Sequence, residues 1–399
     1  MKKNSIESMA IMRESKILVV DDMEFNVIMI QHLLMKNGFK NVFTAKNGIE
    51  AIEITKKEIP DLVILDLMMP EMDGFEYCTI IRKEERFANL PIIVQTATNL
   101  TKQKTQAFSC GATDFVNKPI DPEELIARIK VHLENHILLE KLQNYQERLR
   151  SELTNAQKMQ EALMPNDLAR KLLLENYGLK IQSYFLPSLE IGGDFWSFDP
   201  IDEDRVAFHI TDFSGHGIGA AINTFRLHTI ISELKDKSLK LSSAEAVNHI
   251  NHSLTAILAR GQFATLLYGI FDLKNDQIEY TACGSPPGFI LNIREKTIRK
   301  IDSAGLPIGI SSSYSYEHKT SDFKKGDILI LYSDALIETE DLHGNMLGLE
   351  KLESMLTNYI NSTNSLMSEK LFDHIMETFA KNYMMRLTDD YTLVFFERI

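Results

Sequence analysis

The sequence predicts a multidomain chain in which a doubly wound α/β sheet is joined by one long helix to an α+β sandwich. Three observations carry this. Apolar runs and amphipathic stretches alternate five times in the first third of the chain. Residues 134–164 contain neither glycine nor proline and step their apolar residues in a 3-4 alternation. Beyond residue 167, strand-like runs fall in neighbouring pairs with helical stretches grouped between them. A length of 399 residues exceeds one ordinary core and fits several units. The expected boundaries are an N-terminal tail over 1–14, an α/β domain over 15–133, a linker helix over 134–166 and the sandwich over 167–399.

In the α/β domain, Ile17-Leu18-Val19-Val20 is a continuous apolar run, as a strand covered on both faces requires. An amphipathic helix follows and stops at Asn37-Gly38. The same beat recurs through Val42-Phe43-Thr44, a helix from Ile49 to Lys57, and Leu62-Val63-Ile64-Leu65. A helix after Asp73-Gly74, the strand Ile92–Gln95 and a helix around Lys102–Ser109 come next. Asp114-Phe115-Val116 and a helix opening at Asp121-Pro122, a cap followed by proline, complete five strands and five helices. Sheets of this kind place their sites at the carboxyl ends of the strands. There stand Asp21 and Asp22, Asp66, Thr96 and Lys118. Three carboxylates on one edge repel one another unless a cation joins them, and oxygen ligands suit Mg²⁺. A carboxylate beside Mg²⁺ can act as nucleophile towards a phosphoryl group, with the amine and hydroxyl holding the new charge. Taken singly each is a common loop cap; five at matching strand ends are not.

The motifs VVDD, LDLMMPEMDG, QTAT and NKP, in this order, resemble those of a receiver domain of a two-component response regulator over residues 16–133. The resemblance implies that Asp66 is the phosphoacceptor. Asp21, Asp22, Asp66 and the Met68 carbonyl would hold Mg²⁺, Thr96 and Lys118 would bind phosphoryl oxygens, and Phe115 would be the aromatic residue that reorients. It also implies a cognate histidine kinase as partner.

In the linker, Leu138, Leu142, Tyr145, Leu149, Ala156, Met159 and Leu163 form a heptad-like seam, interrupted at Glu152. The expectation is a parallel coiled coil that makes a homodimer through 134–164; an amphipathic helix packing on its own domains is the plainer alternative.

In the sandwich, strands are expected over Lys180–Phe185, Val206–Ile210, Ala264–Phe271, Gln277–Ala282, Asp327–Leu331 and Thr392–Phe396. Helices are expected over Gly217–Leu234, Ala244–Ala259, Leu349–Tyr359 and Met367–Met384. Asp194, Asp212, Asp334 and Asp389 each sit where an apolar strand meets a turn, and together they suggest a two-metal oxygen site that polarises a phosphoryl group. No P-loop, histidine cluster or Ser-His-Asp motif competes, and His216 is read as shaping a turn. IGGDFW, ITDFSGHG, FATLLYGIFD, GLPIGI, LYSDA and TDDYTLVFF resemble successive motifs of PPM-type phosphatases over about 180–399. The nearest branch is the bacterial stress-response and sporulation regulators, with an α-β-β-α sandwich fold. This likeness implies two Mn²⁺ or Mg²⁺ ions bridged by Asp212, with the Phe213 carbonyl on one of them. Asp334 and Asp389 would bind the second, and Asp194 would contact the water network. The implied substrate is a phosphorylated anti-sigma factor antagonist, hydrolysed by direct attack of water. Ala335, Ser197 and Ser285 depart from that family's usual residues.

A net charge of −13 and the absence of any helix-turn-helix pattern argue against nucleic acid as partner. No apolar run approaches the ~18 residues that span a bilayer, and Cys78, Cys110 and Cys283 lack metal-ligand spacing. A cytoplasmic enzyme with reduced thiols is expected. The alternative is an adaptor that sequesters a partner through an inactive phosphatase-like domain.

Overall fold

The computed structural model describes residues 12–97, 101–215, 217–234, 241–292, 294–301, 304–362, 368–384 and 387–399. The chain divides into two compact units, Met1–Leu149 and Arg150–Ile399.

In the first unit the strands are β1 (Lys16–Val20), β2 (Asn41–Ala45), β3 (Leu62–Asp66), β4 (Ile92–Ala97) and β5 (Asp114–Lys118). They form one parallel sheet in the order β2-β1-β3-β4-β5. The helices are α1 (Glu24–Lys36), α2 (Gly48–Glu58), α3 (Gly74–Ile81), α4 (Thr101–Ser109) and α5, which runs without a break over Pro122–Glu161. Ile17 and Val19 belong to one buried cluster and Leu18 and Val20 to another, so β1 is covered on both faces as its apolar run demands. Asn47 and Asp73 cap α2 and α3 through the amides of Glu50 and Glu76. The Asp121 carboxylate accepts from the amide of Glu123 ahead of Pro122.

The long helix changes character along its length. Leu125, Ile126, Ile129 and Leu133 are buried against the parallel sheet, whereas every residue from Leu138 to Glu152 is exposed. That exposed stretch carries Leu138, Leu142, Tyr145 and Leu149 of the seam. The helix ends at Glu161, short of the expected seam terminus. Leu163 and Met164 follow it and pack on the core of the second unit.

The second unit holds two five-stranded antiparallel sheets. One has the order β13-β10-β9-β8-β7, comprising β7 (Asp194–Pro200), β8 (Arg205–Phe213), β9 (Ala264–Asp272), β10 (Gln277–Cys283) and β13 (Lys319–Asp322). The other has the order β12-β11-β14-β15-β6, comprising β6 (Leu179–Leu186), β11 (Phe289–Asn292), β12 (Thr297–Lys300), β14 (Asp327–Tyr332) and β15 (Tyr391–Arg398). Trp196, Phe208, Phe271, Leu329 and Phe396 fill the space between the sheets. Helices α7 (Ile218–Leu234) and α8 (Ser243–Ile257) cover the first sheet. Helices α10 (Gly348–Ser362) and α11 (Ser368–Asn382) cover the second, giving the α-β-β-α sandwich. The structure has, beyond the expected elements, β7, β11, β12 and β13, the helix α6 (Asp167–Tyr177) and the short helix α9 (Ala335–Glu338). No helix among the described residues is long and apolar enough to cross a membrane.

Candidate functional sites

At the carboxyl edge of the parallel sheet, Asp21, Asp22 and Asp66 bring oxygen atoms within 4.8 Å of one another. Asp66 ends β3 and is nearly buried. The Lys118 ammonium lies 2.7 Å from its Oδ2 and 3.1 Å from Asp21 Oδ2, so one cation bridges two carboxylates. Asp21 is fixed further by the Asn26 amide at 3.0 Å and the Met23 amide at 2.9 Å. Burial pushes the Asp66 carboxyl above its ordinary value against the pull of Lys118, with Asp21 adding to the rise. Asp22 and the Met68 side chain are exposed, and the Met68 amide stands 3.5 Å from Asp66 Oδ1. Gly74 is needed beneath this edge, since a Cβ there would fall 2.4 Å from the Asp66 carbonyl.

Thr96 is buried at the end of β4. Phe115 is half-buried in β5 between two cations, with Lys104 Nζ 4.1 Å and the Arg128 guanidinium 5.6 Å from its ring centre. Arg128 and His132, both on α5, bind the Asp114 carboxylate at 2.7 Å and 2.9 Å. The long helix is thus hydrogen-bonded to the residue next to Phe115.

In the second unit Asp194 opens β7 and lies directly across the ladder from Asp212 near the end of β8. Like charges in that position repel. Both are buried or nearly so, and burial raises both carboxyls above the ordinary range. Asp212 is pushed up to about 8, with Asp334, Asp389 and Asp390 adding to the effect. Asp334, two residues beyond β14, is pushed up to about 6 by burial and then by Asp389. One oxygen of Asp194 accepts from the Thr392 hydroxyl at 2.6 Å; the other is buried with no hydrogen-bond partner. An orphaned buried carboxylate oxygen among mutually repelling acids fits a bound cation. The four carboxylates are more widely spaced than those around Asp66, for no three of them meet within 4.8 Å.

The segment before Asp194 is held by two groups that sequence reasoning missed. Asp390, buried beside Asp389, accepts from the Gly193 amide and, at 2.7 Å, from the Ser188 amide. Gly192 permits this approach, because a Cβ there would sit 2.5 Å from Asp390 Oδ2. Gln160, in the last turn of α5 and 1% exposed, donates to the Gly192 carbonyl at 2.7 Å and accepts from the Gly192 amide at 3.2 Å. Phe213 is buried, and its carbonyl packs against Gly193, leaving no room there for a side chain. Ala335 begins α9 directly after Asp334, which is itself in right-handed helical conformation, and has no positive φ, so the alanine causes no backbone strain. Ser197 lies on the opposite face of β7 from Asp194, by strand alternation. The Ser285 hydroxyl is buried without a partner, and His216 lies outside the described residues. All three cysteines are free, with Cys78 and Cys283 buried.

Comparison with known proteins finds one family match in each unit. Residues 17–130 match the response regulator receiver domain family, and residues 202–399 match the stage II sporulation protein E family. The transcriptional regulatory protein YvrH of Bacillus subtilis is 42% identical over 122 residues, 31% of this chain and 50% of that protein. The chain therefore spans about half the length of that relative. The phosphoserine phosphatase RsbU of Bacillus subtilis is 24% identical over 257 residues, 64% of this chain and 73% of RsbU. Among solved structures, the SiaA-PP2C domain of Pseudomonas aeruginosa superposes with a TM-score of 0.55 at 18% identity, covering 63% of this chain and 98% of that domain. The chain joins a response regulator receiver domain, matched over residues 17–130, to a domain of the stage II sporulation protein E family, matched over residues 202–399.

Proposed function

We propose that phosphorylation of Asp66 by a cognate histidine kinase controls the hydrolysis of phosphoserine or phosphothreonine on a protein substrate by the C-terminal unit. The observation that carries the enzymatic half is the pair Asp194–Asp212. These two acids stand face to face and are pushed towards protonation by burial, with Asp212 adding to the effect at Asp194 and Asp334 and Asp389 adding to it at Asp212, an arrangement that divalent cations relieve. In this reading Asp194, Asp212, Asp334, Asp389 and the Phe213 carbonyl hold two Mn²⁺ or Mg²⁺ ions. When bound, these ions supply Lewis acidity towards the phosphoryl group and lower the pKa of water. The chain's own part is positional. Thr392 orients Asp194, while Asp390 and Gln160 fix the Gly192-Gly193 segment that leads into it. At the receiver, Asp21, Asp22, Asp66 and the Met68 carbonyl hold Mg²⁺. An Asp66 oxygen takes the phosphoryl group, and Lys118 and Thr96 bind its oxygens.

The likeness to RsbU, over most of that protein's length, supports a phosphoserine substrate, and we take the substrate to be an anti-sigma factor antagonist in a partner-switching pathway. The exposed stripe Leu138, Leu142, Tyr145 and Leu149 supports a cytoplasmic homodimer formed through residues 134–164. Phosphorylation would act on Phe115 and the α5 residues beside it and be passed along that helix to Gln160. The adaptor reading would be favoured by missing acidic residues, whereas Asp194, Asp212, Asp334 and Asp389 are all present in the sequence. Mn²⁺-dependent release of phosphate from p-nitrophenyl phosphate and from a phosphoserine peptide tests the site. Asp212→Ala should abolish both, and equal turnover by that variant would refute the assignment.

A further inference from the structure

Asp61 and Asp66 flank β3 at opposite ends, about 17 Å apart at ~3.3 Å per strand residue. At the Asp61 end, α5 brings up His136 and Glu140, one turn apart and therefore on one helix face. Ligand atoms of Asp61, His136 and Glu140 all lie within 4.8 Å of one another. His136 Nε2 is 3.7 Å from Glu140 Oε1. Asp61 is not free to swing away, because its Oδ2 accepts the Lys16 amide at 2.6 Å, which leaves the other oxygen available. His136 is largely enclosed, and its Nδ1 is buried with no hydrogen-bond partner. Among the described residues neither Asp61 nor Glu140 forms an ion pair with lysine or arginine. A cleft of about 530 Å³, lined by Asp61, Glu140, Glu14 and Lys141 among others, opens Asp61 and Glu140 to water.

We propose that Asp61, His136 and Glu140 bind a divalent transition-metal ion, with Zn²⁺ the best match. One imidazole and two carboxylates with a solvent-facing side satisfy a four-coordinate ion that keeps one water. The mixed nitrogen and oxygen donors favour Zn²⁺ over Mg²⁺ or Ca²⁺, which take oxygen cages. The two helix ligands lie at the start of the stretch from Leu138 to Glu152 in which every residue is exposed. A bound ion would therefore fasten α5 to the receiver at the point where the helix loses its packing. It would make the linker's departure from the receiver sensitive to a cation distinct from those at the two phosphoryl sites.

The test is calorimetric titration of the full chain with Zn²⁺ after chelator treatment, in excess Mg²⁺, on an Asp212→Asn background that weakens the phosphatase metal site. One Zn²⁺ site is expected whose Kd rises by about tenfold or more in Glu140→Gln and in His136→Gln. Glu140 is exposed, so its variant keeps the fold, and an unchanged melting temperature without metal verifies this for both. Identical Zn²⁺ stoichiometry and affinity in the background protein and the two variants would overturn the proposal.

Discussion

Replacing Gln160 by leucine tests whether the end of the linker helix sets the geometry of the phosphatase site. The amide side chain is buried and holds both the N–H and the C=O of Gly192, two residues before Asp194. Leucine keeps most of the volume but leaves those two backbone groups buried and unpaired. Each such group costs about 1–3 kcal/mol, so the Gly192–Asp194 segment should be weakened by about 2–6 kcal/mol. Thr224, the third partner, retains its own bond to the Ala221 carbonyl and adds little. Global stability is commonly about 5–15 kcal/mol, so the domain should still fold. At ~1.4 kcal/mol per tenfold, even the lower figure predicts about a 30-fold loss in the population that presents Asp194 correctly. Mn²⁺ titration of p-nitrophenyl phosphate hydrolysis reads this as a fall in kcat/KM or a rise in the Mn²⁺ needed for half activation. Gln157→Leu, one turn earlier, should be silent, because among the described residues Gln157 bonds only to Glu161 of its own helix. If Gln160→Leu stays within about twofold of wild type in both measures, the coupling reasoning fails.

Two further outcomes follow from the same geometry. Asp212 and Asp334 hold their protons up to about 8 and about 6 in the folded protein. The folded state thus keeps protons that the unfolded state has released. The metal-free melting temperature should therefore fall as pH rises from about 5 to about 8. Mn²⁺ should reverse the fall, and Asp212→Asn should flatten it; a melting temperature that rises over this range in chelator would contradict the assignment. Charging the exposed stripe with Leu138→Glu and Leu142→Glu should convert a dimer to a monomer in sedimentation velocity, whereas unchanged sedimentation would refute the seam.

The parts legible in the sequence were those written in local periodicity. The central parallel strands β1, β3 and β4 of the receiver are short apolar runs covered on both faces, and its site residues stand at strand ends, so the pattern and the chemistry coincide. β7 escaped notice because Asp194, Asp199 and Pro200 break its apolar alternation. The four-residue strands β11, β12 and β13 are too short for a period to show. Helix α6 did carry a signal, Asn166 as cap and Gly178 at its end. Gln160 left no signal at all. A glutamine on a polar helix is unremarkable in sequence, and its partners Gly192 and Thr224 are 32 and 64 residues away. Asp390 was hidden by its neighbour, since nothing local separates an acid that faces a cation from one that braces a loop.

The most direct test of the whole account compares phosphatase rates of wild type and Asp66→Ala towards a phosphoserine peptide with Mn²⁺, before and after treatment with acetyl phosphate. The account predicts that acetyl phosphate changes the wild-type rate and leaves the Asp66→Ala rate unaltered. A wild-type rate indifferent to acetyl phosphate, despite phosphorylation of Asp66, would contradict it.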